Sequence, residues 1–318
     1  MKKFTHAWLA FMAIKRLEET KLSDTNRAYA NDLIGWFKDH KDDVAQGAWY
    51  PDAVIKDMAN SHVLKLTPSD DAENKFKQLP TTYLNYQYGE KSDLRKSSFT
   101  VDAVDNLPDR CESIAQSVID DLKIQEKEDK GSPVSPTANH IALLLFMLSH
   151  YVADAHMPFH CDSRRFSEGM DLHGYIEGKW EDQIKSFYPV DEDNDRFFYD
   201  HDGYPSRAEG SGIDQEYQSS ILKTVEDELR DRKFVLSWGE DNNNVWDFMS
   251  AICQYSYLLS YCFVASEYDH TNVTRTNWQS RGSISFDEFS VAIISDAIDS
   301  IARVWFRVWR RYLKWKIE

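Results

Sequence analysis

Residues 138–156 constrain the fold more than any other stretch, because Ile141-Ala142-Leu143-Leu144-Leu145-Phe146-Met147-Leu148 leaves no polar face on a helix. A helix that is apolar all round has to be surrounded by protein. Thr137 is placed to cap it and Pro158 to end it. No run approaches the roughly 20 apolar residues of a membrane span. The stretch therefore reads as the centre of a soluble helical core, yet its last turn carries His150 and Asp154. An imidazole and a carboxylate at the end of a buried helix are costly unless something satisfies them.

The rest of the chain agrees with a helical reading. Only 12 Gly and 9 Pro punctuate 318 residues, too few for a many-stranded β fold, while 17 Phe, 16 Tyr and 10 Trp supply core material. Further helices are expected at about 6–19 with Thr5 as cap, and at 23–41, 109–124, 214–231, 243–264 and 286–316. The last of these carries Ile294, Ile298, Ile301, Trp305, Val308, Tyr312 and Trp315 as one stripe. The first and last helices are expected to pack on the central one. Pro51 biases Tyr50 away from helical backbone, which predicts a loop over 47–52. Residues 66–100 read as irregular and 125–133 as a linker. The predicted architecture is one all-α, multi-helix domain over 1–318, with a surface insertion at about 190–245.

Thirty-seven basic against 53 acidic residues give a formal charge of −16, whose average field repels nucleic acid and anionic membrane. Cys111, Cys161, Cys253 and Cys262 form no CxxC pair and read as unpaired interior thiols. The start, Met1-Lys2-Lys3, is followed by an apolar stretch that runs into Lys15-Arg16 without a small-residue cleavage site. The expectation from this is a cytoplasmic protein.

The chemistry lies around the central helix. His150 and Asp154 are four residues apart and so share one helix face. His160 follows beyond Pro158, and His173 with Glu177 repeats the four-residue step on the next helix. Upstream, His6 opens the first helix, and Asp52 and His62 flank the segment after Pro51. Imidazoles mixed with carboxylates suit zinc, and eight such ligands exceed one four-coordinate ion but suit a cluster of two or three. A single histidine is usually structural; five residues in this order around a helix-breaking proline are not. His156 points away from the Asp154 face and reads as a surface or supporting residue, and His140 as a first-turn polar residue. His40, His201 and His270 read as solvated, while Asp162 and Asp171 could accept imidazole N–H groups.

His150-Tyr-Val-Ala-Asp154-Ala-His-Met-Pro158-Phe-His160 resembles the signature of the zinc-dependent phospholipase C and single-strand-specific nuclease superfamily. His173 and Glu177 match its later His-x3-acid pair, and the acid and the short gap from His160 are closer to the phospholipase branch. Asp154-Ala155-His156 is closer to some nucleases. The resemblance covers residues 1–177 and implies an all-helical enzyme with three zincs at the bottom of a cleft. It implies that Asp52, His62, His150 and Asp154 surround one zinc, and that His160, His173 and Glu177 hold a second. His6 and Asp154 would hold the third, with the amino group and carbonyl of Met1. Two departures stand out. Ala153 replaces a usual glycine, and Met1 stands where secreted members expose a tryptophan.

The function so implied is a zinc-dependent phosphodiesterase using a zinc-activated hydroxide, phospholipase C-like, in which Asp52 also orients the nucleophile or accepts its proton. Release of a phospholipid headgroup stands ahead of nucleic-acid cleavage. The alternatives are a single-strand nuclease or nucleotidase, and a zinc-binding protein without turnover. Arg303, Arg307, Arg310, Arg311, Lys314 and Lys316 among Trp305, Trp309 and Trp315 allow peripheral membrane contact, but a core helix with a basic solvated face explains them more simply. No obligate protein partner is evident from the sequence.

Overall fold

A computed structural model describes residues 1–56, 62–68, 99–101, 106–128, 132–236, 244–264, 268–271 and 284–317. The helices are α1 (Lys3–Glu19), α2 (Asp24–Asp39), α3 (Val44–Tyr50), α4 (Leu107–Lys127), α5 (Ala138–Ala155), α6 (Pro158–Cys161) and α7 (Leu172–Phe187). They continue with α8 (Ser211–Gln218), α9 (Ile221–Asp231), α10 (Val245–Phe263) and α11 (Phe286–Ile317). Two antiparallel strand pairs accompany them: β1 (Leu66–Pro68) with β2 (Phe99–Val101), and β3 (Val190–Asp191) with β4 (Arg196–Phe197). The fold is all-α.

α5 is the central helix that its composition demands. Thr137 caps it through the His140 N–H, and α1, α3, α4, α10 and α11 pack around it. The Trp305 indole donates to the Leu145 carbonyl at 2.9 Å, and Phe146 meets the rings of Phe37 and Trp305. Gly47 lets α3 approach: a Cβ there would lie 2.8 Å from the Phe146 Cβ. Gly47→Ala is therefore expected to destabilise the protein by about 1–3 kcal/mol, the range for overpacking a close contact. A thermal melt unchanged from wild type would show that α3 shifts without cost.

Several boundaries differ from the sequence expectation. α1 starts at Lys3, so Thr5 lies inside its first turn rather than capping it. Tyr50 stays helical, and Pro51 opens a π-helical turn, Pro51–Ile55, closed by Lys56 N–H to the Pro51 carbonyl at 2.8 Å. Proline tolerates that first position because its missing N–H is not needed there. The helix expected over 214–231 is two, α8 and α9, separated at Ser219-Ser220, where Ser220 caps α9. Residues 66–68 and 99–101 pair as strands, whereas the rest of the 66–100 stretch lies outside the described residues. The described part of the 125–133 stretch continues α4 as far as Lys127.

α1 and α11 pack on each other as well as on α5. The β3–β4 segment docks on α1, with Phe197 against Phe4 and Phe11 and the Tyr204 hydroxyl donating to Glu18. Cys111, Cys161 and Cys253 are buried free thiols; the side chain of Cys262 lies outside the described residues. Among the described residues no helix is long and apolar enough to cross a membrane.

Candidate metal centre

One end of the bundle gathers the start of α1, the last turn of α5, α6 and the start of α7. Segment 62–66 runs beside 160–163, because Leu64 N–H donates to the His160 carbonyl at 3.3 Å and Ser163 N–H to the Leu66 carbonyl at 3.3 Å. The Leu107 N–H then ties α4, which starts with an Asn106–Asp109 capping box, to the Val63 carbonyl. These bonds bring His62 beside His160, and the π turn brings Asp52 toward both His62 and His150.

The nine residues singled out from the sequence converge in three sets. In the first, His62 Nε2 lies 3.0 Å from Asp52 Oδ1, 2.8 Å from His150 Nε2 and 3.8 Å from Asp154 Oδ2. His150 Nε2 is 3.1 Å from Asp154 Oδ2 and 3.6 Å from Asp52 Oδ1. In the second, His173 Nε2 lies 2.7 Å from Glu177 Oε1 and 3.1 Å from His160 Nε2. In the third, the Met1 amino nitrogen is 2.9 Å from both Asp154 Oδ1 and Glu177 Oε1, and His6 Nε2 is 3.4 Å from Asp154 Oδ1. Two ligands on one tetrahedral zinc, each about 2.0–2.1 Å from it, stand about 3.3 Å apart. The observed spacings scatter around that value.

The chemistry of the donors fits a metal. His150 Nδ1 donates to the Ala48 carbonyl at 2.7 Å and His160 Nδ1 to the His62 carbonyl at 3.2 Å. Each bond puts the proton on Nδ1 and leaves a lone pair on the Nε2 that faces the centre. His6 stacks on His150 with ring centroids 4.0 Å apart, and among the described residues neither of its buried ring nitrogens has a hydrogen-bond partner. A buried imidazole with no partner is costly, and an ion beside it removes the cost.

Electrostatics keep two of the imidazoles neutral and two of the carboxylates ionised. Burial, reinforced by His150 and the Met1 ammonium, holds His6 well below the usual histidine range. Burial, with His173 adding to it, does the same for His160, so both rings stay neutral as ligands require. Burial opposes charge on Asp154, yet the Met1 ammonium and the surrounding imidazoles hold its carboxyl well below the usual range. Glu177 is likewise depressed against its burial by His173 and Met1. For the Met1 amine, burial works against the charge but Asp154, Glu177 and Asp52 outweigh it, lifting it to about 11. A bound cation would reverse that preference.

Residues expected at the margins fall differently. His156 is buried, with Nε2 2.8 Å from the Ser300 hydroxyl of α11, and so is not at the surface. Asp162 accepts from Arg164 and from the Ser260 hydroxyl, and Asp171 caps α7 through the Gly174 N–H. His140 is exposed and pairs with Asp121. His201 is exposed, His40 is half-buried against Trp36, and His270 is half-buried beside Glu168. Sequence reasoning missed the groups that orient the imidazoles: the Ala48 and His62 carbonyls carry no residue-type signal, and Ser167, 3.2 Å from His173 Nδ1, is an ordinary loop serine.

No family model matches the chain, and no curated protein matches it. Among solved structures it is similar to the alpha toxin from Clostridium absonum, at 14% identity and a TM-score of 0.50, over 97% of this chain and 64% of that one. It is also similar to the Clostridium perfringens alpha-toxin from avian strain SWCP, at 16% identity and a TM-score of 0.46, over 97% and 63%. The chain thus spans less than two thirds of the length of either toxin. At this identity the likeness to the Clostridium absonum toxin establishes one thing, that this chain has the all-α fold of the matched part of that toxin.

Proposed function

We propose that the chain is a zinc-dependent phosphoester hydrolase of the phospholipase C type, with two or three zincs on Met1, His6, Asp52, His62, His150, Asp154, His160, His173 and Glu177. One observation carries the reading: the two oxygens of Asp154 face different donor sets, Oδ2 toward His62 and His150 and Oδ1 toward Met1 and His6. A buried carboxylate shared in this way suits neighbouring cations. Zinc held there supplies Lewis acidity and lowers the pKa of water.

The chain's own residues divide the remaining work. The Ala48 and His62 carbonyls hold His150 and His160 in the ligand tautomer. Asp52, at 14% exposure against 10% for Glu177 and 1% for Asp154, is the most open of the three proposed carboxylate ligands. That position suits it to orient an attacking water and take its proton. The short gap from His160 to His173 and Glu177, closer to the phospholipase branch, is the ground for putting a phospholipid headgroup first among substrates.

The test is zinc per chain by elemental mass spectrometry on protein whose residue 1 is a free Met1, followed by assays on phospholipid, single-stranded nucleic acid and nucleotides. Two or three zincs with phospholipid turnover are expected, abolished by a chelator and restored by zinc. Turnover confined to nucleic acid or nucleotides would move the chain to the nuclease reading. Zinc without turnover would make it a binding protein, and one zinc or none would end the enzyme reading.

A further inference from the structure

α1 enters the metal centre with an end that its own sequence does not cap. Lys2 has the extended backbone of an N-cap, φ −90° and ψ 167°, but offers no side-chain acceptor, and the first turn contains no acidic residue. The leading N–H groups of a helix lack partners within it and need acceptors from elsewhere. Here they come from a residue 176 positions away. Glu181 Oε1 accepts the Phe4 N–H at 3.1 Å, and Oε2 accepts the Thr5 N–H at 2.7 Å and the Thr5 hydroxyl at 2.9 Å. Its negative charge also suits the positive end of the helix dipole.

Glu181 sits one helical turn beyond Glu177 on α7. The same face of α7 thus presents Glu177 to the Met1 nitrogen, at 2.9 Å, and Glu181 to the turn that carries that nitrogen. His6 closes this turn through its N–H to the Lys2 carbonyl at 3.0 Å. The ligands on α5, α6 and α7 have their own supports. The third donor set depends on how the first turn of α1 is held.

We infer that Glu181 is a positioning residue that caps α1 from α7 and so holds the Met1 nitrogen and the His6 ring at Asp154 Oδ1. Its consequence for metal rests on the zinc reading; its consequence for the first turn does not. Glu181→Ala frays that turn, exposes the α-amine and loses the zinc of the third set, while the sets around His150 and His173 keep theirs.

Two measurements test this. In chelated protein, the rate of α-amine labelling by an amine-reactive reagent, read on the N-terminal peptide by mass spectrometry, is expected to rise roughly tenfold in Glu181→Ala, the scale of a lost strong cap. In zinc-loaded protein the variant is expected to carry one ion fewer than wild type. Adding Lys2→Asn, which places an acceptor at the N-cap within reach of the Thr5 N–H and is large enough to leave Met1 in place, is expected to reverse both changes. General destabilisation by Glu181→Ala would not be repaired in that way. Unchanged labelling, or a rise that Lys2→Asn leaves in place, overturns the assignment; so does a full zinc count in Glu181→Ala. Should Glu181→Ala not fold, Glu181→Gln keeps the length and one acceptor oxygen, and labelling at the wild-type rate there overturns it equally. If wild-type protein binds no zinc, the hydrolase reading fails on its own and the labelling arm still decides the role of Glu181.

Discussion

Asp154→Asn is expected to reduce bound zinc to one ion or none and to lower phosphodiester turnover by about a thousandfold or more, the scale of losing several kcal/mol of metal-derived charge stabilisation. The argument is geometric. Asp154 Oδ2 stands 3.1 Å from His150 Nε2, and Oδ1 stands 2.9 Å from the Met1 nitrogen. Asparagine keeps the shape but has one acceptor oxygen and one NH2 group. Whichever way the amide turns, it presents donors to one of the two sets and removes the charge both share. Glu177→Gln and Asp52→Asn touch fewer donors, and each is expected to cost one zinc. Zinc analysis beside steady-state rates separates these cases. Near-normal turnover and full metal content in Asp154→Asn would sink the shared-carboxylate reading.

What could be read from the sequence was what local rules govern. α5 was legible because an apolar run without a polar face has one physical solution, and its Thr137 cap and Pro158 stop act within a few residues. His150, Asp154, His173 and Glu177 were legible because four-residue spacing on a helix fixes a shared face whatever the tertiary context. The misreadings come where a distant element supplies the deciding contact. Thr5 has the chemistry of a cap, but the α1 end is held by Glu181 and so the helix begins earlier. Pro51 biases its neighbour toward extended backbone, yet helical Tyr50 is followed by a π turn closed by Lys56. His156 does point away from the Asp154 face, but α11 lies on that side and buries it against Ser300. Asp162 is spent on Arg164, two residues on, and on Ser260, which lies 98 positions away and which no spacing rule connects to it.

A second large effect is expected far from any metal ligand. Asp299→Ala should destabilise the chelated protein by about 3–5 kcal/mol, the cost of removing one partner from a buried ion pair. Asp299 Oδ1 accepts from Arg16 Nε at 2.9 Å, and Oδ2 from Arg232 Nη1 at 3.3 Å. Arg232 also reaches Asp296 at 2.6 Å, so it keeps a carboxylate when Asp299 is cut back. Arg16, from α1 and 8% exposed, loses its Asp299 carboxylate and is left with the Leu229 and Arg232 carbonyls and the face of Phe234. A guanidinium in that position carries a charge that water cannot reach well. Asp299→Asn keeps an acceptor and is expected to lose less. Denaturant unfolding of the three proteins measures the order, and a loss below about 1 kcal/mol for Asp299→Ala would mean the network behaves as an exposed pair does. Asp299 is held by Arg16 and Arg232 and is not one of the nine proposed ligands, so the folded variant is expected to hold its full zinc complement. A loss of zinc together with stability would instead show that the α1–α9–α11 junction holds α1 at the metal centre from its far end.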